Sequence, residues 1–204
     1  MMQRYEIATL NTALGGAAKA APGIEGFCRE GAGRLLGCWA TEIGPLNQVL
    51  ILRGFDTAED AAKERERTLR AANPFGAAEV LNGMTLDGYA PFPFLPPVEP
   101  GEYGPVYEIR TYVLKTGGVE PTIAAWEAAI PARVKYSPLT IAMYALDGAP
   151  RFTHIWPFKS LNDRAAVRAQ TVTDGVWPPK GGPAWLTTDM RSTIGLPLPI
   201  SPLR

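Results

Sequence analysis

The sequence predicts an α+β protein made of one unit written twice, two β-α-β-β-α-β copies of about 100 residues each in tandem. Two observations lead there. First, three segments recur in the same order. Tyr5-Glu6-Ile7-Ala8-Thr9-Leu10 returns as Tyr107-Glu108-Ile109-Arg110-Thr111-Tyr112 at an offset of 102, Phe55 to Ala62 matches Phe158 to Ala165 at 103, and Pro91 to Pro96 matches Pro197 to Pro202 at 106. A near-constant spacing of that length marks duplicated domains, not a short-period solenoid. Second, six prolines and two glycines fall between Pro91 and Pro105, a composition that neither pairs as a central strand nor continues a helix. The expected division is a first unit over 1–90, a linker over 91–105 and a second unit over 106–204.

Within each copy the elements follow from local pattern. Tyr5 to Leu10 and Tyr107 to Leu114 are rich enough in β-branched and aromatic residues for strands, and Lys115-Thr116-Gly117-Gly118 breaks the second. A helix follows, in the second copy Glu120 to Ala132, where Ile123, Trp126 and Ile130 form one apolar stripe at spacings of three and four. A hairpin comes next: Leu36 to Ile43, a turn at Gly44-Pro45, then Asn47 to Phe55. Its counterpart is Met143 to Leu146, Asp147-Gly148, then Arg151 to Phe158. Thr57 and Ser160 each precede an aspartate by three residues, a helix-capping arrangement, and Asn73-Pro74 is expected to end the first of these helices. Final strands near Val80 to Tyr89 and Thr187 to Leu196 complete the copies. The order is that of a ferredoxin-like split unit, with helices on one sheet face only. Left bare, the other face would expose an apolar patch on the order of several hundred Å², so the two copies are expected to pack sheet to sheet.

Composition narrows the function. Twenty acids balance twenty Lys plus Arg, which removes the electrostatic footprint of a nucleic-acid binder. His154 is the lone histidine, so no multi-histidine metal site fits within one chain. Cys28 and Cys38 lack metal or disulfide spacing and read as reduced thiols. No apolar run approaches the roughly 20 residues of a membrane span, and strand-like sequence from Tyr5 leaves no room for a signal peptide, so a cytoplasmic protein is expected. Paired glycines such as Gly15-Gly16 and Gly117-Gly118 match no phosphate-binding pattern, and nothing implies a cofactor. The charged run Lys63, Glu64, Arg65, Glu66, Arg67 and Arg70 reads as a solvated helix face.

Two segments carry a family resemblance. Tyr107-Glu108-Ile109-Arg110-Thr111-Tyr112-Val113-Leu114-Lys115 is similar to the first-strand signature of the NIPSNAP domain proteins, which belong to the dimeric α/β-barrel superfamily. Gly37-Cys38-Trp39-Ala40-Thr41-Glu42-Ile43-Gly44-Pro45-Leu46-Asn47-Gln48-Val49, continued by Phe55-Asp56-Thr57, is similar to that family's hairpin signature. The resemblance implies a pseudo-dimeric α/β barrel formed within one chain. It implies little about activity, since family members are linked to vesicle, mitochondrial or unknown roles, and related barrels include cofactor-independent oxygenases and haem-handling proteins. The halves depart from the pattern unequally. The family's third-strand His-Leu-Trp appears as His154-Ile155-Trp156 in the second copy but as Ile51-Leu52-Arg53 in the first, while the second copy lacks the hairpin signature.

Strand alternation puts Phe152, His154, Trp156 and Phe158 on one sheet face, and Val49, Ile51, Arg53 and Phe55 on its counterpart. With Leu50 and Leu52 taken as the helix-packing side, His154 and Trp156 are expected to face the barrel interior, in a pocket suited to a small apolar or aromatic ligand. Adjacent first and third strands would set Arg110 beside His154, where the first copy has Ala8 and Ile51. A lone histidine in an aromatic strand is more often a core residue satisfied by backbone or water, yet it is also the side chain best suited to act as a base near neutral pH. Trp39, Glu42 and Asn47 form a second candidate group, with a solvated Glu42 and a turn-stabilising Asn47 as the simpler readings. Three functions follow. The leading one is a small-molecule binder or interaction module, with Phe152, Trp156, Trp39, Glu42, Asn47 and Arg53 as candidate ligand contacts. The alternative is a cofactor-independent monooxygenase or isomerase in which His154 removes a proton and Arg110 steadies the anion. The third is a haem-binding protein with His154 as axial ligand. Homo-oligomerisation beyond the internal pair stays open.

Overall fold

The computed structural model describes residues 4–204 and runs β-α-β-β-α-β twice along the chain. The first half holds β1 (Arg4–Thr12), α1 (Gly16–Glu30), β2 (Arg34–Ile43), β3 (Gln48–Phe55), α2 (Ala58–Arg70) and β4 (Leu81–Pro91). The second holds β5 (Val106–Leu114), α3 (Val119–Arg133), β6 (Ile141–Ala145), β7 (Arg151–Phe158), α4 (Leu161–Thr173) and β8 (Leu186–Pro197). Both expected caps form. Thr57 Oγ1 accepts the Asp60 N–H at 3.0 Å and Ser160 Oγ accepts the Asp163 N–H at 3.0 Å, each worth about 1 kcal/mol to its helix. Helix α2 stops at Arg70, ahead of Asn73-Pro74, because Ala71 is already extended; the proline instead opens a short 3-10 turn, Pro74–Gly76. Among the described residues no helix is long and apolar enough to cross a membrane.

Each half forms an antiparallel sheet, ordered β4-β1-β3-β2 in the first and β8-β5-β7-β6 in the second. The sheets not only face each other but join at both edges. Strand β2 pairs with β8 from Trp39↔Pro197 to Ile43↔Ile194, and β4 pairs with β6 from Tyr89↔Ala145 to Pro91↔Met143, closing an eight-stranded barrel. Closure covers the sheet edges along these seams, while β4 from Leu81 to Gly88 and β8 from Leu186 to Thr193 keep one strand neighbour each. At the first seam Gly195 permits the approach: a Cβ there would stand 2.7 Å from Trp39 Cβ.

The apolar core of the barrel interior is one cluster drawn from both halves. Tyr5, Ile7, Trp39, Leu50 and Leu52 meet Tyr107, Ile109, Met143 and Ile155, with the Trp39 and Tyr107 rings 5.1 Å apart. Val98 from the linker and Leu203 from the C-terminal segment plug the same cluster. Two further clusters lie outside the barrel, beneath the helices. One packs α1 on Ala8, Leu10, Val49 and Ile51, and the other packs α3 on Phe152, Trp156 and Phe158.

The charged run on α2 is only partly a solvated face. Lys63–Glu59 and Arg70–Glu66 are exposed i,i+4 pairs, but Glu64 points inward and is buried. It meets Arg53 of β3, whose guanidinium is fully enclosed. Arg53 Nη2 donates to Glu6 Oε1 at 2.5 Å and Nη1 to Glu64 Oε1 at 2.8 Å, with Thr68 Oγ1 at 3.1 Å. Arg67 also donates to Glu64 and lies on the Phe27 ring. Burial alone pushes the Glu64 carboxyl up, but the Arg67 hydrogen bond and the Arg53 charge hold it below the usual carboxylate range. Replacing Arg53 by alanine strands the buried Glu6 and leaves Glu64 with Arg67 alone. Urea unfolding of Arg53→Ala is expected to show a loss of about 3–5 kcal/mol, and a loss below about 1 kcal/mol would mean that water reaches the network.

Candidate functional site

Phe152, His154 and Trp156 alternate along β7 and share a face with Glu108, Arg110 and Tyr112 of β5. The register sets Arg110 directly opposite His154. This face does not look into the barrel, contrary to the expectation from sequence. It lies under α3, with the Trp126 ring 4.8 Å from His154, while Ile155 belongs to the barrel core and Thr153 donates to Tyr89 Oη at 3.1 Å. The inversion has a physical reason. Strands β3 and β7 are buried on both faces, by the opposite sheet and by the helices, so Leu50 and Leu52 could not mark which side was which.

A cavity of about 740 Å³ lies between that outer face, α3, α4 and residues 177–183. Its size is usual for a small-molecule site. Trp126, Phe152, Trp156 and Trp177 give it aromatic walls, and Trp126 meets Trp177 edge-on at 4.9 Å. In the first half the corresponding space is filled: the Arg53 guanidinium sits 4.9 Å from the Phe75 ring, which lies 5.0 Å from Phe27.

His154 is 3% exposed, and its ring is enclosed by Trp126, Phe152 and Tyr112. Nδ1 accepts the indole N–H of Trp156 at 2.7 Å. A neutral imidazole has one acceptor nitrogen, so this bond places the proton on Nε2, which has no partner among the described residues. Burial first, and the Arg110 charge second, hold the imidazole pKa well below its ordinary value. The ring is therefore a neutral donor across the physiological range.

Charge at the cavity is uneven. Glu108 is fully buried and accepts from Arg110, Arg164 and Ser192, with Arg168 Nη1 3.6 Å from its other oxygen. Burial alone would raise its pKa, but the Arg164 hydrogen bond and the Arg110 charge bring it down to about 2. Arg110 is further held by Tyr112. Arg133, at the end of α3, is buried, lies over Trp156 at 4.2 Å and donates to Ser137 Oγ at 2.9 Å, but makes no ion pair among the described residues.

The structure thus gathers Arg110, Phe152, His154 and Trp156 and disperses the other candidates. Trp39 is in the barrel core. Glu42 and Asn47 are exposed at the β2–β3 hairpin; Asn47 serves the turn through its left-handed backbone, φ 56°, not through a side-chain bond. Arg53 lies in the first half's ion network. The barrel interior does hold a cavity, of about 450 Å³, but its polar lining, including Gln48, Asp87, Thr111 and Arg151, contains none of the expected residues. Sequence reasoning missed Glu108, Arg133, Arg168 and Trp177. One signal was available: Arg133 continues the α3 stripe three residues after Ile130, a cation where the pattern calls for an apolar residue. Cys28 and Cys38 are buried free thiols, and burial raises the pKa of both. Among the described residues no group of three or more His, Cys, Asp and Glu side chains could hold a metal.

A histidine whose folded pKa lies below its unfolded value of about 6.5 contributes stability that is complete above that pH and declines as pH falls. Between pH 6.5 and 5.5 the decline is about 1 kcal/mol. In urea titrations at the two pH values, His154→Phe is expected to remove that increment from the pH dependence. Equal slopes for both chains would show that the folded ring protonates freely.

Comparison with known proteins places this geometry in context. A protein NipSnap homolog of Dictyostelium discoideum is 28% identical over 145 residues, covering 70% of this chain; the chain spans 65% of that relative's length. The fold resembles the crystal structure of an anthrone oxidase-like protein, with TM-score 0.68, 10% identity and coverage of 97% of this chain and 92% of that one. It also resembles a heme-binding protein from Thermus thermophilus, with TM-score 0.54, 12% identity and coverage of 97% and 92%. These two likenesses concern the fold alone. The NIPSNAP family profile matches residues 4–96 and again 107–202, once per half, and the chain belongs to the NIPSNAP family.

Proposed function

We propose that this protein binds a small apolar or aromatic molecule in the second-half cavity, outside the barrel and beneath α3 and α4. The observation that carries the reading is the cavity itself: about 740 Å³ of space with walls of tryptophan and phenylalanine and a few convergent polar groups. A ligand of matching shape would cover these apolar walls and remove them from water, which favours binding.

The role this geometry supports for His154 is that of a neutral ring in the cavity wall, its unpartnered Nε2–H being itself covered. Proton abstraction is the weaker reading, since the acceptor nitrogen is engaged by Trp156 and the pKa lies below the operating range of a base. The haem reading fits no better. Axial ligation needs an unprotonated nitrogen facing iron, and Nε2 carries the proton while Nδ1 is taken. Arg110 is held by Glu108 and Tyr112 and lines the cavity as a fixed positive charge.

The test uses 2-naphthol, a neutral bicyclic arene, with intrinsic tryptophan fluorescence as the readout, since Trp126, Trp156 and Trp177 all line the space. Saturable quenching is expected for the wild-type chain. Ala169→Trp, at an exposed position of α4 bordering the cavity, is expected to abolish it without altering the unfolding transition. Quenching that is linear in 2-naphthol, or unaffected by the block, would overturn the proposal.

A further inference from the structure

The two halves bury ion clusters at corresponding places, and the clusters differ in balance. In the first half two acids, Glu6 and Glu64, meet two arginines, Arg53 and Arg67. In the second half one acid, Glu108, stands among Arg110, Arg164, Arg168 and Arg133. Arg164 and Arg168 reach solvent, but Arg133 is buried, and a buried cation is costly unless an anion pairs with it.

Three observations locate the missing charge. Arg133 is buried with no carboxylate partner among the described residues, and it faces the cavity with its guanidinium over Trp156. Arg168, which also lines the cavity, is only loosely engaged, at 3.6 Å from Glu108. The Nε2–H of His154, nine-tenths buried or more, is an unused donor in the same lining. Burial and the neighbouring Arg168 charge draw the Arg133 pKa down to about 10, as expected of a cation without a counter-charge.

Building on the small-molecule reading of the cavity, we infer that its ligand is an aromatic or apolar carboxylate, with the carboxylate held by Arg133 and Arg168 and the apolar body between the tryptophans. A guanidinium fork matches a carboxylate in two hydrogen bonds, and such bonds strengthen in a site that excludes water. Neutral ligands would leave Arg133 desolvated and unpaired, and that is the source of discrimination.

The experiment compares 2-naphthoate with 2-naphthamide, its neutral isostere, by calorimetric titration of the full chain. The naphthoate is expected to bind more tightly by on the order of 10- to 100-fold, with the preference shrinking as salt is raised. Arg133→Met, which keeps the apolar stem, is expected to bring the affinity ratio close to one and to leave the melting temperature level or higher. Arg168→Gln, at a half-exposed position, is expected to reduce the ratio as well and serves if Arg133→Met does not fold. Arg29→Gln, on an exposed helix face, is expected to leave it unchanged. Equal binding of both probes would overturn the carboxylate inference and leave the apolar cavity standing. Binding of neither would overturn both.

Discussion

Every strand of this protein must find two neighbours and cover two faces, and the ladders β2–β8 and β4–β6 satisfy both demands together. A split β-α-β-β-α-β sheet alone has helices on one face, a bare apolar face on the other, and two rows of unpaired backbone groups at its edges. Joining the two sheets at both edges converts each bare face into half of a shared interior, the cluster in which Trp39 meets Tyr107. Once closure is fixed, the helices can lie only outside, and any space between helix and sheet is a pocket of one half alone. The cavity beneath α3 and α4 follows from that arrangement, as does its independence from the barrel axis.

The repeat made the fold readable. Strand–helix order, the capping residues Thr57 and Ser160, and the hairpin Arg151 to Phe158 each rest on local chemistry that tertiary packing left in place. The facing of the strands was not readable. Alternation distinguishes faces only when one of them meets water, and in β3 and β7 neither does, so Leu50 and His154 offered no contrast of polarity. Position along the strand was therefore correct while direction was reversed.

The residues of the candidate site were placed to the same degree. Arg110 opposite His154 came from strand adjacency, and Phe152 and Trp156 from the shared face. Arg168 and Trp177 lie on elements far along the chain, and nothing local distinguishes them from surface residues. Glu64 is the clearest case. It stands in a run of alternating charges that reads as solvated, yet it is drawn inward because Arg53 of β3 lies beneath it. A partner that is distant in sequence decides which charge of a run is buried, and a single sequence carries no mark of it.

Joining both copies in one polypeptide also lifts a constraint of symmetry. In a two-fold homodimer each residue occurs twice, so a guanidinium placed to fill one helix–sheet layer would fill the other as well. Here the corresponding third-strand positions hold Arg53 in one half and Trp156 in the other. One layer can serve as ballast while its twin is hollowed out, and substitutions that reshape the hollow leave the ballast untouched.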